Sequence, residues 1–264
     1  MRRALLATGA LVWREVVRFV RDRNRVVGAL LQPILFWGLF GAGLRASFRP
    51  PLGEGSINYA EYFFPGTVVL ILLFTAIFST ISLIEDRREG FLQGVLVAPI
   101  PRSSLVLGKV LGGTALALGQ GTLVLLCAPF VGVRLTPASF ALSVMVLLVV
   151  GFGLTALSFC VAWMMDSTQG FHAVMTVLLM PLWLLSGAFF PAAGAPSWLR
   201  LLMNADPLTY GMAALRHVLY PGGGAPTVGL PGAGPALAAT ILFGAVAFMA
   251  ALLLARRRPT GAGA

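Results

Sequence analysis

The chain has 264 residues, of which 58% are hydrophobic and only 11% charged, with a mean hydropathy of +0.90. A soluble domain carries about 25% charged residues, and the apolar stretches here reach roughly 20 residues, the length of a helical membrane crossing. The net charge of +10 does not point to nucleic acid, because the arginines stand at the ends of apolar stretches, where basic residues set membrane topology. Short alternating segments of the kind a membrane β-barrel needs are not seen. The composition therefore describes an all-α, polytopic membrane protein that forms a single domain over residues 1–264.

Residues 1–25 read as an interfacial N-terminal helix. In ALVWREVVRFVRDR, residues 10–23, and just beyond it, Arg14, Arg18, Arg21, Asp22 and Arg25 fall on one helical face. Val12, Trp13, Val16, Val17 and Val20 fall on the other. The pattern predicts a helix lying along the membrane, its arginines toward lipid phosphates and Trp13 at headgroup depth. A solvated, charged N-terminus is the alternative. With seven arginines in the first 25 residues and no apolar core ending in a small-residue cleavage site, no cleavable leader is expected.

The first crossing is expected over 26–44, with Gln32-Pro33 and the glycines Gly38, Gly41 and Gly43, which suit close helix contact. Residues 45–60, with Arg45, Arg49, Pro50, Pro51 and Glu54, form a first outer loop, and the second crossing covers 61–84. Its apolar run FFPGTVVLILLFTAIFSTISLI breaks abruptly into Glu85-Asp86-Arg87-Arg88-Glu89-Gly90. A short amphipathic piece follows from Phe91 to Ala98, stopped by Pro99 and Pro101, and Ser103 and Ser104 can cap the next helix. This is a helix leaving a membrane, a short helix at its surface, and a return. Such a surface helix is placed to receive a push from the aqueous phase.

The third crossing is expected over 105–131, long enough to require tilt or a bend near Gly119 and Gly121. Arg134 to Pro137 make a tight outer turn before the fourth, 139–165. Asp166-Ser167-Thr168-Gln169 turn the chain back, with Asp166 or Ser167 as N-cap of the fifth, 170–190. Residues 191–220 are too polar and broken to cross. Pro196-Ser197-Trp198 starts one short helix and Asp206-Pro207 caps a second, 207–219, which together suggest an outer re-entrant helical hairpin. Pro221 to Pro235 form a flexible loop, and the sixth crossing, 236–255, ends at Arg256, Arg257 and Arg258. Six crossings with both termini cytoplasmic place fourteen basic residues inside and five outside, Arg45, Arg49, Arg134, Arg200 and Arg216.

Several chemistries lack their residues. Gly108-Lys109 is followed by Val110 and has no glycine-rich approach, so this is not a phosphate-binding loop. No carboxylate lies mid-span, where an ion-coupled transporter carries its coupling charge. His172 and His217 share no helical face, so a metal site is not supported, and the Glu85-Asp86 pair lacks the histidines of an intramembrane protease. Cys127 and Cys160 read as small apolar residues near opposite membrane faces, not as a disulfide. A passive channel or a scaffold remains an alternative, although Thr75, Ser79, Ser82, Thr114, Gln120, Thr155 and Ser158 read more easily as interhelical hydrogen bonds than as a pore stripe.

Three stretches resemble the membrane subunits of type-2 permease ABC transporters, mostly exporters. They are Ile84 to Phe91 with Val97-Ala98-Pro99-Ile100-Pro101-Arg102; Leu185-Ser186-Gly187-Ala188-Phe189-Phe190-Pro191; and Asp206-Pro207-Leu208-Thr209-Tyr210 with Ala214-Leu215-Arg216, where Asp206 replaces a more usual Asn. The resemblance covers essentially the whole chain. It implies that Glu85, Asp86, Arg87, Arg88, Glu89, Gly90, Phe91, Pro99 and Arg102 form a cytoplasmic coupling helix docking on a separate ATP-binding subunit. It also implies that Phe189, Phe190, Pro191, Asp206 and Tyr210 belong to an outer gate, and that the first, second and fifth crossings line the path. Glu85 and Glu89 would pair with Arg87, Arg88 or the N-terminal arginines; an ordinary topology cluster is the alternative. Two permease copies, as a homodimer, and two ATP-binding subunits would assemble in a bacterial inner membrane among its lipids. ATP and Mg would sit on the partner subunit, with no cofactor on this chain, which would be a transport subunit rather than an enzyme. The likeness leans toward lipophilic, drug- or antibiotic-like cargo. A polysaccharide or lipo-oligosaccharide cargo, stacking on Phe36, Trp37, Phe40, Phe74 and Phe78, is the alternative.

Overall fold

In the computed structural model, which describes residues 2–43, 58–223 and 226–256, one helix is the axis of the molecule. α3, Tyr59–Arg88, is buried along almost its whole length. α2 (Arg23–Gly43), α5 (Arg102–Leu125), α6 (Pro137–Trp163) and α7 (Thr168–Trp183) pack around it. α1, Arg2–Arg21, lies along α5, and α10, Ala233–Arg256, covers α6. Among the described residues there is no strand. Leu44, the expected outer-loop residues Arg45, Arg49, Pro50, Pro51 and Glu54, the loop residues Gly224 and Ala225, and Arg257 and Arg258 lie outside the described residues.

Local chemistry explains the helix ends. The Asn58 side chain accepts from the Glu61 N–H at 2.8 Å and opens α3. Thr136 and Ser139 form a reciprocal capping box ahead of α6, with Pro137 in the first turn. Ser167, not Asp166, caps α7; the Asp166 carboxylate instead receives Arg87 at 2.8 Å. Gly90 adopts φ 78°, a left-handed conformation natural to glycine, and turns the chain from α3 into α4, Phe91–Val97.

Five helices are long and apolar enough to cross a membrane: α2, α3, α6, α10 and the segment Thr168–Ala188 that includes α7. α5 is not among them, because Lys109, Gln120 and the glycines Gly108, Gly112, Gly113, Gly119 and Gly121 dilute its apolar content. Gly108, Gly112, Gly113 and Gly121 serve packing. A Cβ on Gly108 would stand 2.6 Å from the Leu11 Cβ, and one on Gly112 would stand 2.7 Å from the Glu15 Cβ, so α1 lies directly on the α5 backbone. α5 runs through Gly119 and Gly121 as helix and ends at Leu125, and a separate 3₁₀ turn follows at Ala128–Val131.

After Trp183 the chain widens into a π turn, Leu184–Ala188, and breaks at Gly187, whose φ of 79° ends the helical run. Two short helices follow, α8 (Ser197–Ala205) and α9 (Pro207–Leu219). α9 packs against α6 and α10.

Candidate functional site

At the C-terminal end of α3 the charges of three helices converge. Asp86 is fully buried. Its carboxylate receives Arg14 at 2.5 and 2.9 Å, Arg18 at 2.6 Å and the Lys109 ammonium at 2.5 Å. Lys109, itself buried, also donates to Glu15 at 2.7 Å and to Ser82 at 3.1 Å, and Ser82 in turn donates to the other Glu15 oxygen. α1, α3 and α5 are thus joined by an ammonium between two carboxylates, closed by arginines at the rim. The hydrogen bond to Asp86 raises the Arg14 pKa above its ordinary value, and burial opposes that shift. The arginine face of α1 is therefore not turned to lipid phosphates as its periodicity suggested. Arg14, Arg18 and Arg25 turn to the acidic end of α3, where opposite charge compensates their desolvation.

The other elbow residues take distinct positions. Glu85 pairs with Arg18 at 2.9 Å and with Arg25. Glu89, largely exposed, meets Arg18 at 3.2 Å. Arg87 donates to the carbonyls of Trp163 at 2.6 Å and Met165 at 3.0 Å, and Arg88 donates to the Asp166 carbonyl at 3.0 Å, so both hold the end of α6. The Arg14 guanidinium lies over the Phe91 ring, 3.7 Å from its centre. Arg102 donates to the carbonyls of Ala255 and Arg256 at the end of α10. Gln93, Gly94, Val97 and Pro99 stay exposed, Val97 at 85%. α4 is therefore fixed on one side by Arg14 and the buried Leu92, and bare on the other.

At the opposite end of α3 the chemistry changes. The Phe189 ring meets Phe40 at 5.0 Å and Phe63 at 5.8 Å between centres, both edge-on, while its carbonyl accepts from Tyr59 at 2.9 Å. Phe40 also stacks with Phe36 at 5.7 Å. The Tyr62 hydroxyl donates to the Gly187 carbonyl at 3.0 Å, and the Trp183 indole donates to the Gly66 carbonyl at 2.8 Å. Phe190 faces away, toward the cluster of Ala192, Ala195 and Met203. Pro191 precedes the short 3₁₀ turn Ala192–Gly194. Asp206 is buried, caps α9 through the Leu208 N–H at 2.9 Å, and accepts from Thr209. Burial pushes its pKa up to about 7 against those hydrogen bonds. Tyr210 donates to the Asn204 carbonyl at 2.8 Å and ties α9 to α8. The proposed gate residues therefore form two groups: Phe189 joins the α2–α3 aromatics, while Asp206 and Tyr210 hold the α8–α9 corner.

Three functional candidates escaped sequence reasoning. Lys109 is the buried partner of Asp86 and of Glu15, and Arg216, counted only as an outer-side cation, is 1% exposed. Arg216 donates to the Tyr62 hydroxyl at 2.9 Å, the Pro226 carbonyl at 2.9 Å and the Tyr62 carbonyl at 3.2 Å, and its guanidinium covers the Tyr62 ring. A signal existed: Thr209, Met212, Ala213 and Arg216 recur at helical spacing on the buried face of α9.

Between α2, α3 and the start of α7 is a cavity of 480 Å³ lined by Arg25, Phe78, Ile81, Glu85, Gln169 and His172, with the imidazole 5.6 Å from the Phe78 ring. It adjoins the charged cluster through Arg25 and Glu85.

Comparison with known proteins fits this arrangement. Residues 7–220 match the family model described as ABC-2 type transporter. The chain is 32% identical to the ycf38 transport permease of Cyanophora paradoxa over 211 residues, 79% of this chain and 72% of that one. It is 20% identical to the daunorubicin resistance ABC transporter permease protein DrrB1 of Streptomyces coeruleorubidus over 229 residues, 86% and 80% of the two chains. It is 28% identical to nodulation protein J of Sinorhizobium fredii over 204 residues, 75% and 76% of the two chains. The chain, with its five membrane-length helices and its charged elbow, belongs to the ABC-2 type transporter family as a multi-pass membrane permease.

Proposed function

We propose that this chain is the permease subunit of an ATP-driven exporter of the bacterial inner membrane, moving a lipophilic or amphipathic, drug- or antibiotic-like cargo outward. A second copy of the chain and two separate ATP-binding subunits, which hold ATP and Mg, complete the transporter; this chain itself hydrolyses nothing. α5 serves as the sixth crossing: it packs against α3 and α6 over 24 residues and starts at the charged end. Both termini and the elbow are cytoplasmic, and α8 and α9 lie outside.

The observation that carries this reading is the elbow. One side of α4 is fixed to α1 and α3, and the other side is bare, with Val97 exposed among Gln93, Gly94 and Pro99. A push on α4 from a docked ATP-binding subunit reaches α3, α5 and α1 together through Asp86 and Lys109. α3 carries the displacement to the contacts of Tyr62 and Tyr59 with Gly187 and Phe189, the proposed outer gate. The cavity beside Arg25 and His172 is the inner mouth of the path. The drug-resistance permease among the relatives supports a lipophilic cargo. The ring series Phe36, Phe40, Phe63 and Phe189 favours a second reading, a saccharide-bearing cargo, since sugar rings stack on aromatic faces.

The test is purification of the tagged chain from its native membrane in nanodiscs, with identification of co-purifying proteins and an ATPase assay. An ATP-binding subunit in equal amount, its activity stimulated by lipophilic cations, supports the drug-type reading. Stimulation by lipid-linked oligosaccharides alone supports the saccharide reading. A homo-oligomer without an ATPase partner points to a channel or scaffold and overturns both. A single cysteine at Gly223, in a chain otherwise free of cysteine, is expected to react with an impermeant maleimide on intact cells; reaction only after permeabilisation reverses the orientation.

A further inference from the structure

A second cavity, apart from the elbow and the aromatic gate, opens between α1, α2 and α5. It measures 510 Å³, within the roughly 300–1,000 Å³ of small-ligand sites. Its back wall is the small cluster of Phe19 and Leu116, with Ala29 behind. Val20, Val27 and Leu123 stand at its mouth, all more than half exposed. Ala115 and Gly119 keep the α5 side low, and a Cβ on Gly119 would meet nothing within 4 Å. Arg23 is the one charged residue of its lining.

The charge pattern identifies the occupant. Arg14, Arg18 and Arg25 are each neutralised by carboxylates of α1, α3 or the α1–α2 break. Arg23 and Arg21 have no ion pair among the described residues, the Asp22 carboxylate going to Arg25, and of the two only Arg23 lines the groove. Arg23 is the first residue of α2, a helix long and apolar enough to cross a membrane, and basic residues at such helix ends meet lipid headgroups. Below it the cavity wall is apolar for two turns of α2, through Val26, Val27 and Leu30. A cation at headgroup depth above a lipid-facing apolar groove matches one acyl chain with an anionic headgroup.

We infer that this groove binds an anionic membrane phospholipid, its phosphate on Arg23 and one acyl chain between α1, α2 and α5. This site is separate from the proposed cargo path and does not depend on the identity of the cargo. It makes the seating of α1, and with it the buried cluster under Asp86, responsive to the anionic lipid content of the surrounding leaflet.

The probe is phosphatidylglycerol, against phosphatidylcholine, in nanodiscs holding the full chain with whatever subunits co-purify, read by native mass spectrometry after detergent release. One phosphatidylglycerol is expected to remain on each copy of the chain, with phosphatidylcholine retained at least ten-fold less. Arg23→Gln is expected to reduce retention about ten-fold and Arg23→Lys to preserve most of it. Gly119→Leu, whose Cβ would meet nothing within 4 Å and which leaves Arg23 in place, is expected to remove the lipid as well. Equal retention of the two lipids, or full retention of phosphatidylglycerol by both Arg23→Gln and Gly119→Leu, overturns the assignment. Displacement of the bound lipid by the transported cargo at its transport concentration assigns the groove to cargo and overturns it too. Loss of retention in a variant counts only when its far-UV helix signal and size-exclusion profile match the parent; should Gly119→Leu fail that control, Ala115→Leu takes its place with the same expectation.

Discussion

The two ends of α3 are both polar, buried and tied to neighbouring helices, yet they are built on opposite principles. At the elbow, cations and carboxylates alternate: Lys109 lies between Glu15 and Asp86, and Arg14, Arg18 and Arg25 close the rim. At the gate, a lone guanidinium, Arg216, is held by two carbonyls, a hydroxyl and an aromatic face, with no carboxylate bonded to it among the described residues. Multivalent charge resists separation, because parting any member strands another without water. Bonds to carbonyls and edge-on aromatic contacts are singly weaker and can be exchanged for similar ones nearby. The first construction suits an element that transmits displacement as a unit, the second an element that yields.

The comparison breaks most severely at Lys109. Lys109→Met leaves Glu15 and Asp86 with only Arg14 and Arg18 against their charge, and loss of one partner of a buried ion pair costs up to about 3–5 kcal/mol. Thermal unfolding in detergent should show a large drop, and pairing the change with Asp86→Asn should recover part of it. An unchanged transition would mean that water reaches the cluster and that it is not rigid. At the gate end, Arg216→Met should cost less, about 1–3 kcal/mol for stranded carbonyls, and it should loosen α9 without disturbing α1. Hydrogen exchange over the two ends distinguishes the cases; protection lost equally at both contradicts the division.

Asp206 sharpens the contrast through pH. Its folded pKa, about 7, lies above the ordinary 3.8, so the folded state holds the proton longer than the unfolded one. The stability it contributes is complete below the unfolded pKa and falls as pH rises through 7. Between pH 6 and 8 the loss is about 1.4 kcal/mol, one pKa unit of slope, and Asp206→Asn should flatten that part of the profile. A wild-type profile as flat as the Asn variant's would place the carboxylate in water. The smallest effect on stability belongs to Glu89, an exposed partner of Arg18 worth at most about 1 kcal/mol. Glu89→Arg should fold and reach the membrane normally but lose cargo-stimulated ATP hydrolysis; normal export by that variant removes the elbow from the coupling path.

Much of this molecule was readable before any coordinates, and the limits have physical causes. Elbow and hairpin were marked by residues that act locally: Gly90 as the left-handed turn, Pro99 and Pro101 as stops, Asp206-Pro207 as cap and first turn. What escaped is long-range. Lys109 and Glu15 are 94 positions apart, and Lys109 alone reads as one more cytoplasmic topology charge. Arg216 was counted only as an outer-side cation, and a count of cations per side cannot see that it is buried under Tyr62. α5 looked like any other crossing, whereas its glycines give up apolar content so that α1 can lie on its backbone.

The placement of Lys109 also bears on how the chain is made. Glu15 is synthesised first, Asp86 next, and Lys109 only 23 residues after Asp86. Two carboxylates and their arginine escorts are therefore already at hand when the ammonium leaves the ribosome, and α5, too glycine-rich to enter lipid readily on its own, finds a charge-matched berth waiting.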